Sequence, residues 1–216
     1  MNSLLCYIPF FSDVWKDKYH LILNKEHLQA IESNILKFSN NQLDWNLPYF
    51  NEEIIINRTE SFSLFAEILE SENSYREIAR CLEGIPFEHW LNVLGQRLTS
   101  ASIRDEKAIP PLKNILIESC LKSFNEEITI AQRAWEKHVG RMDDGFWGQV
   151  KGNSEQKQKK VMERIHYIID NKTWWNVFFH YKHELVYEIR EKDGHGIRWS
   201  HGGTLLIGFL EVFINE

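Results

Sequence analysis

The chain has 216 residues, 43% apolar and 26% charged, which predicts an ordinary globular protein with room for one large domain or two small ones. A formal charge of -6 argues against general nucleic-acid binding through a basic surface. Three widely spaced cysteines, Cys6, Cys81 and Cys120, argue against a disulfide framework or a thiolate zinc site, and the reading is buried free thiols at Cys81 and Cys120.

The N-terminal run MNSLLCYIPFF is apolar but too short to span a bilayer and has no positive region ahead of it, so a cytoplasmic protein without a membrane partner is expected. Tyr7 to Phe11 reads as a short strand or tucked segment, and Ser12-Asp13 as the cap of a short helix through His20. Leu28, Ile31 and Ile35 mark the inner face of a second helix that begins after Asn24 and stops at Ser39-Asn40-Asn41. The sequence is irregular from Gln42 to Arg58, with Pro48 and the triplet Ile54-Ile55-Ile56. Phe62, Phe65, Ile68 and Leu69 restore helical spacing, and Ser74 with Glu77 forms a capping box before Ile78 and Leu82. Phe87 to Leu98 is a further amphipathic helix, followed by a polar loop from Thr99 to Lys107.

Pro110-Pro111 opens an enclosed helix through Phe124, and Asn125 caps the next one, on which Ile128, Ala131, Trp135 and His138 recur at steps of three or four. A histidine on such a stripe is usually a core residue. Met142 to Gly152, with Phe146 and Trp147, is a glycine-punctuated loop that reads as pinned to the core or as the wall of a pocket. The lysines from Lys151 to Lys160 read as a solvated helix start, and Val161, Ile165, Ile168 and Ile169 as the inner face of a helix ending near Asn171.

From His183 to Phe213 apolar residues follow a period of two, broken at Lys192-Asp193-Gly194 and at His201-Gly202-Gly203, which predicts a three-stranded meander over 183–214. A three-residue loop ending in a left-handed Gly194 sets Tyr187 against Trp199 and Ile189 against Ile197, with Glu188 against Arg198 and Arg190 against Gly196 on the other face. A loop longer or shorter by one residue mixes charge into the apolar face. The second turn is expected to lay Leu206 beside Trp199 and Gly208 beside Ile197, which puts Glu211 on the charged face with Ile207 and Phe209.

That charged face is the candidate site. Arg190 and Arg198 suit a phosphate or carboxylate held in bidentate fashion, with Glu188 as base, His183 or His138 as acid, His195 at the rim, Glu211 nearby and Trp147, Trp174, Trp175 and Trp199 as walls. The ordinary reading of the same face is charges paired across strands, with the anion pocket as its competitor. His180-x-x-His183 followed by Glu184 lacks the order of a metalloprotease motif, so no metal and no cofactor are expected. There is no G-x-S-x-G and no phosphate-binding loop, while Asp143-Asp144, Glu188 and Glu211 leave paired-carboxylate chemistry open.

The order of a WWN run, a His-Glu pair, VYEIR, G-x-G-x-R-W and GFLE resembles the C-terminal module of an uncharacterised, mostly fungal and some bacterial protein family, from about Ala131 onward. The resemblance implies no activity, and Val212 stands where that family has Pro. The expectation is a single α+β domain over 1–216, a helical body with a small C-terminal antiparallel sheet and a soft seam near 99–107. Its function is expected to be binding of a small anionic ligand or a protein partner, not nucleic acid; the alternative is an enzyme acting on a phosphate- or carboxylate-bearing small molecule.

Overall fold

A computed structural model describes residues 2–43, 52–140 and 145–212. Pro48, Met142, Asp143, Asp144 and Phe213, which figure in the sequence reading, lie outside the described residues. The fold is α+β, with helices throughout and a four-stranded antiparallel sheet at the C-terminal end. The described chain forms two compact units, one from residues 2–43 and 54–109 and one from residues 52–53, 110–140 and 145–212.

The first unit is helical. Leu4–Phe10 is a 3-10 helix rather than a strand, and α1 (Asp13–Tyr19) and α2 (Lys25–Ser39) follow with Ser12 and Asn24 as side-chain caps. A two-residue strand, β1 (Glu53–Ile54), precedes α3 (Thr59–Glu70), and α4 (Tyr75–Gly84) opens on the capping box of Ser74 and Glu77. Helix α5 (Phe87–Leu94) ends sooner than its spacing predicts, because Gly95 turns left-handed at φ 110°. The buried Leu98 therefore belongs to a short strand, β2 (Leu98–Thr99). Trp90 is fully buried and gathers Trp15, Phe65 and Phe11 around it, with ring centroids 4.9–6.4 Å away. Cys81 is exposed, correcting the expectation of a buried thiol.

The second unit carries α6 (Lys113–Leu121), α7 (Ile130–Val139), α8 (Ser154–Asp170) and the strands β3 (Lys172–His180), β4 (Glu184–Glu191), β5 (Gly196–Ser200) and β6 (Leu206–Leu210), paired in that order. Thr129, not Asn125, caps α7, because the Asn125 side chain is used up on the backbone N–H groups of Glu127 and Ile128 in the preceding turn. Buried Cys120 lies beside the Trp199 indole, and burial pushes its thiol up to about 11.

The hairpin β4–β5 has the predicted register: Tyr187 opposes Trp199, Glu188 opposes Arg198, Ile189 opposes Ile197, and Arg190 opposes Gly196. Gly194 closes the turn at φ 94°. Two differences matter for the site. A fourth strand, β3, precedes the three expected ones and sets Trp174 against Arg190 and Asn176 against Glu188. In β6 the register slips by one residue: Leu206 opposes Trp199 as expected, but Gly208 opposes Arg198 and Phe209 opposes Ile197. Such a bulge moves everything beyond it to the opposite face.

Candidate functional site

The two faces of the sheet collect different chemistry. On one, the Glu188 carboxylate, 2% exposed, accepts from Arg190 Nε at 2.7 Å on one oxygen. Its other oxygen takes Arg198 Nε at 2.7 Å and Nη2 at 2.6 Å. Arg190 Nη1 donates to the carbonyls of Gly194 and Glu211, both at 2.6 Å, so hairpin turn and strand end lock this guanidinium in place. Burial pulls the Arg190 pKa below its ordinary value, opposed by the charge of Glu188. Gly196 is required here, since an added Cβ would stand 2.7 Å from Arg190 Cγ and closer still to the carbonyl oxygen of Ile189.

The cluster continues outward. Arg198 Nη1 lies 3.0 Å from His180 Nε2, and its guanidinium covers the Phe178 ring at 5.7 Å. The His180 ring stacks on His183, with centroids 5.3 Å apart and planes 22° apart. Burial, then the positive charge of Arg198, lowers the His180 pKa. The turn that brings the two histidines together ends on Glu184 at φ 57°, a left-handed conformation that costs a side-chain-bearing residue about 1–2 kcal/mol. Tyr181, in the same turn, is 85% exposed. The face thus grades from a buried acid, through one locked and one half-buried arginine, to an open edge bearing two imidazoles and an exposed phenol ring.

Two guanidiniums share one carboxylate, which leaves this cluster cationic, suited to an anion at its open end. The structure brings together Glu188, Arg190, Arg198 and, through His180, His183. It also supplies His180 as a member; the sequence pattern had suggested that residue only as a metal ligand. The signal for it was present, because a turn of three residues after a strand returns both histidines to one edge. Among the described residues no group of three His, Cys, Asp or Glu side chains is placed to hold a metal ion.

Six other predicted residues lie elsewhere. The β6 bulge turns Glu211 to the helix-facing side, where its carboxylate pairs with His138 at the end of α7. His138 packs edge-on against Trp147 at 5.0 Å and Phe209 at 6.0 Å. Trp199 is fully buried beside Tyr187. The placing of Glu211 on the charged face, of Trp147 as its wall and of His138 as its acid is therefore corrected, since one extra strand residue and the docking of α7 separate them from it; Trp199 keeps its expected place opposite Tyr187 on the apolar face and so does not wall the charged one. His195 also lies on the helix side, stacked on Phe146 with centroids 3.8 Å apart. Of the expected tryptophan walls, Trp174 opposes Arg190, whereas Trp175 opposes Ile189.

Charge is divided along the chain as well. Residues 1–109 hold 10 Lys and Arg against 16 Asp and Glu, whereas residues 110–216 hold 15 of each. The net charge of the whole chain therefore misrepresents the stretch 110–216, where the arginine cluster sits.

A family model described as the CdiA C-terminal tRNase toxin domain matches residues 117–211, under half of the chain and wholly within the second unit. No curated protein matches the chain. A solved structure of the toxic C-terminal tip of CdiA from Pseudomonas aeruginosa, in complex with an immune protein, is 25% identical over 43% of this chain and 99% of that one, with a TM-score of 0.38. The family match overturns the likeness to a mostly fungal family. It likewise replaces the expectations of an anion-binding or interaction protein, of an enzyme for small molecules, and of no nucleic-acid partner: the stretch that suggested them is matched instead by a family of bacterial tRNase toxins.

Proposed function

We propose that the second unit is a ribonuclease that cleaves tRNA, acting in the cytoplasm where tRNA is found. The observation that carries this reading is that the match to the tRNase toxin family, residues 117–211, spans every strand that builds the Glu188–Arg198–His180 cluster. The geometry supports a reaction within the RNA itself. Arg198 turns its Nη1 from His180 Nε2, 3.0 Å away in the free protein, to a non-bridging phosphate oxygen, and the Nε2 so released, on a ring whose pKa burial and Arg198 hold low, accepts the proton of the ribose 2′-hydroxyl. The 2′-oxygen forms its bond to phosphorus as the bond to the 5′-oxygen breaks. The departing oxygen takes a proton from His183, the neighbouring ring on the exposed edge. The products are a 2′,3′-cyclic phosphate and a free 5′-hydroxyl, and the proton count balances.

Both oxygens of Glu188 are engaged by arginines, so its role is to position them rather than to act as the base. Tyr181, open to solvent beside His180, offers a ring on which a base next to the scissile phosphate can stack.

The test is incubation of the purified full chain with tRNA, with products resolved on a gel and their termini identified chemically. Cleavage leaving cyclic phosphate ends is expected. His180→Ala should slow it about 10²- to 10⁴-fold, the usual contribution of one positioned proton-transfer group. Arg198→Lys should raise KM and lower kcat together, because a lysine cannot keep both Glu188 and a phosphate. Intact tRNA after prolonged incubation with the folded chain would end the proposal, as would a His180→Ala variant of wild-type rate.

A further inference from the structure

The charged sheet face is not the only feature of the second unit suited to RNA. On the unit's other side, α8 and the loop after residue 145 enclose a cavity of about 500 Å³, within the range of small-ligand sites. Its floor is the buried Trp135 and Trp147, joined by a hydrogen bond of 2.9 Å from the Trp135 indole to the Trp147 carbonyl. Tyr167, 40% exposed, forms a wall, and Lys151, Lys160 and Arg164 surround it against a single acid, Glu163.

Two of these cations are held in place. Arg164 lies over the Phe146 ring at 4.9 Å, and Lys160 Nζ donates to the Lys151 carbonyl at 3.0 Å. A second, more open cavity of about 510 Å³ shares Lys151, Lys160 and Glu163 and adds Lys159 and Gln156. Adjoining hollows with shared basic residues form a track. A single metabolite would need one closed pocket, whereas a track with an aromatic wall suits successive nucleotides of a polymer: bases stack on rings and phosphates lie along cations.

We infer that this groove is a second RNA-binding subsite, separate from the Glu188–His180 cluster, which holds a single-stranded stretch of the substrate with a base against Tyr167 and phosphates on Lys151 and Lys160. The inference rests on the nuclease reading for the identity of the RNA, but its test needs no cleavage. Binding of fluorescently labelled tRNA to the full chain is measured by anisotropy across a salt series, in the His180→Ala background if the wild type cleaves, and otherwise in the wild type.

Lys151→Gln with Lys160→Gln should weaken tRNA binding at least about tenfold at low salt. The double change should also lower the magnitude of the slope of log K against log salt by about 1.4, roughly 0.7 for each single-strand phosphate that is no longer neutralised. Tyr167→Ala should cost about tenfold in affinity without altering that slope, since stacking a base releases no counterion. An unchanged salt slope in the double variant, or undiminished affinity in Tyr167→Ala, overturns the inference. Failure of the wild type to cleave tRNA refutes the nuclease reading alone, because the binding result is read independently of it.

Discussion

Each face of the C-terminal sheet holds a buried glutamate near a histidine, yet the two pairs have opposite uses. On the helix-facing side the Glu191 carboxylate accepts the backbone N–H groups of Asp193 and His195 at 3.0 and 3.2 Å, and His195 is covered by Phe146. That glutamate shapes a turn, and the histidine is packing. On the other side Glu188 spends its lone pairs on two arginine side chains, and the histidine beyond them reaches the surface. Burial of an acid therefore does not distinguish structure from site; the difference lies in whether its partners end inside the fold or lead out of it.

The largest effect expected from breaking this contrast is on Glu188. Glu188→Ala leaves two guanidiniums, one of them largely buried, without their carboxylate, and should cost about 3–5 kcal/mol of stability, read as a shift of the urea midpoint. A cost of less than about 1 kcal/mol would mean that the arginines find other partners and that Glu188 is not what holds them.

The second effect belongs to the other face. Trp147 is 3% exposed and touches His138, Phe146, His195 and Phe209, so it joins α7 and its own loop to the sheet. Trp147→Ala should cost about 3 kcal/mol, the lower end for a buried tryptophan, because a surface loop can partly collapse into the space. It should also alter the cavity beside α8 proposed to bind RNA, whose floor it forms, while leaving the Glu188–Arg198 pairing intact. Equal damage to cleavage of a short oligoribonucleotide and to tRNA binding would show that the two faces are coupled.

How far the sequence foretold these faces depends on where neighbouring residues constrained each other. The β4–β5 register was legible because any slip opposes Ile189 or Ile197 to a charge, and the observed pairs are the predicted ones. Strand β3 was not, since Trp174, Trp175, Asn176 and Val177 are all buried, and a strand covered on both faces shows no period of two. The bulge in β6 was also hidden: Leu206-Ile207-Gly208-Phe209 reads equally well in either register, and only the docking of Phe209 against Trp147 and His138 fixes it. That single residue moved Glu211 from one face to the other. Glu188, Arg190 and Arg198 were found because their partners lie on adjacent strands of one hairpin; His180 was missed because its partner Arg198 lies two strands away.

The smallest effect is a dependence on pH that singles out His180. Burial foremost, with Arg198, His183 and Lys182 adding to it and Glu188 opposing, holds the folded-state pKa of His180 below the ordinary value of about 6.5. The unfolded chain therefore binds this proton first as pH falls. The stability that His180 contributes is complete above about pH 6.5, declines as pH drops through that value, and is gone once the lower folded-state pKa has been passed. Thermal unfolding of the wild type and His180→Ala between about pH 5 and 7.5 measures this difference directly, with the wild type losing more on the acid side. The same displacement should place the acid limb of tRNA cleavage below pH 6.5, where a base of ordinary affinity would already be half protonated. Parallel melting curves for the two proteins across the range, or an acid limb above pH 6.5, would assign the proton acceptor to another residue and remove the chemical distinction between the two faces.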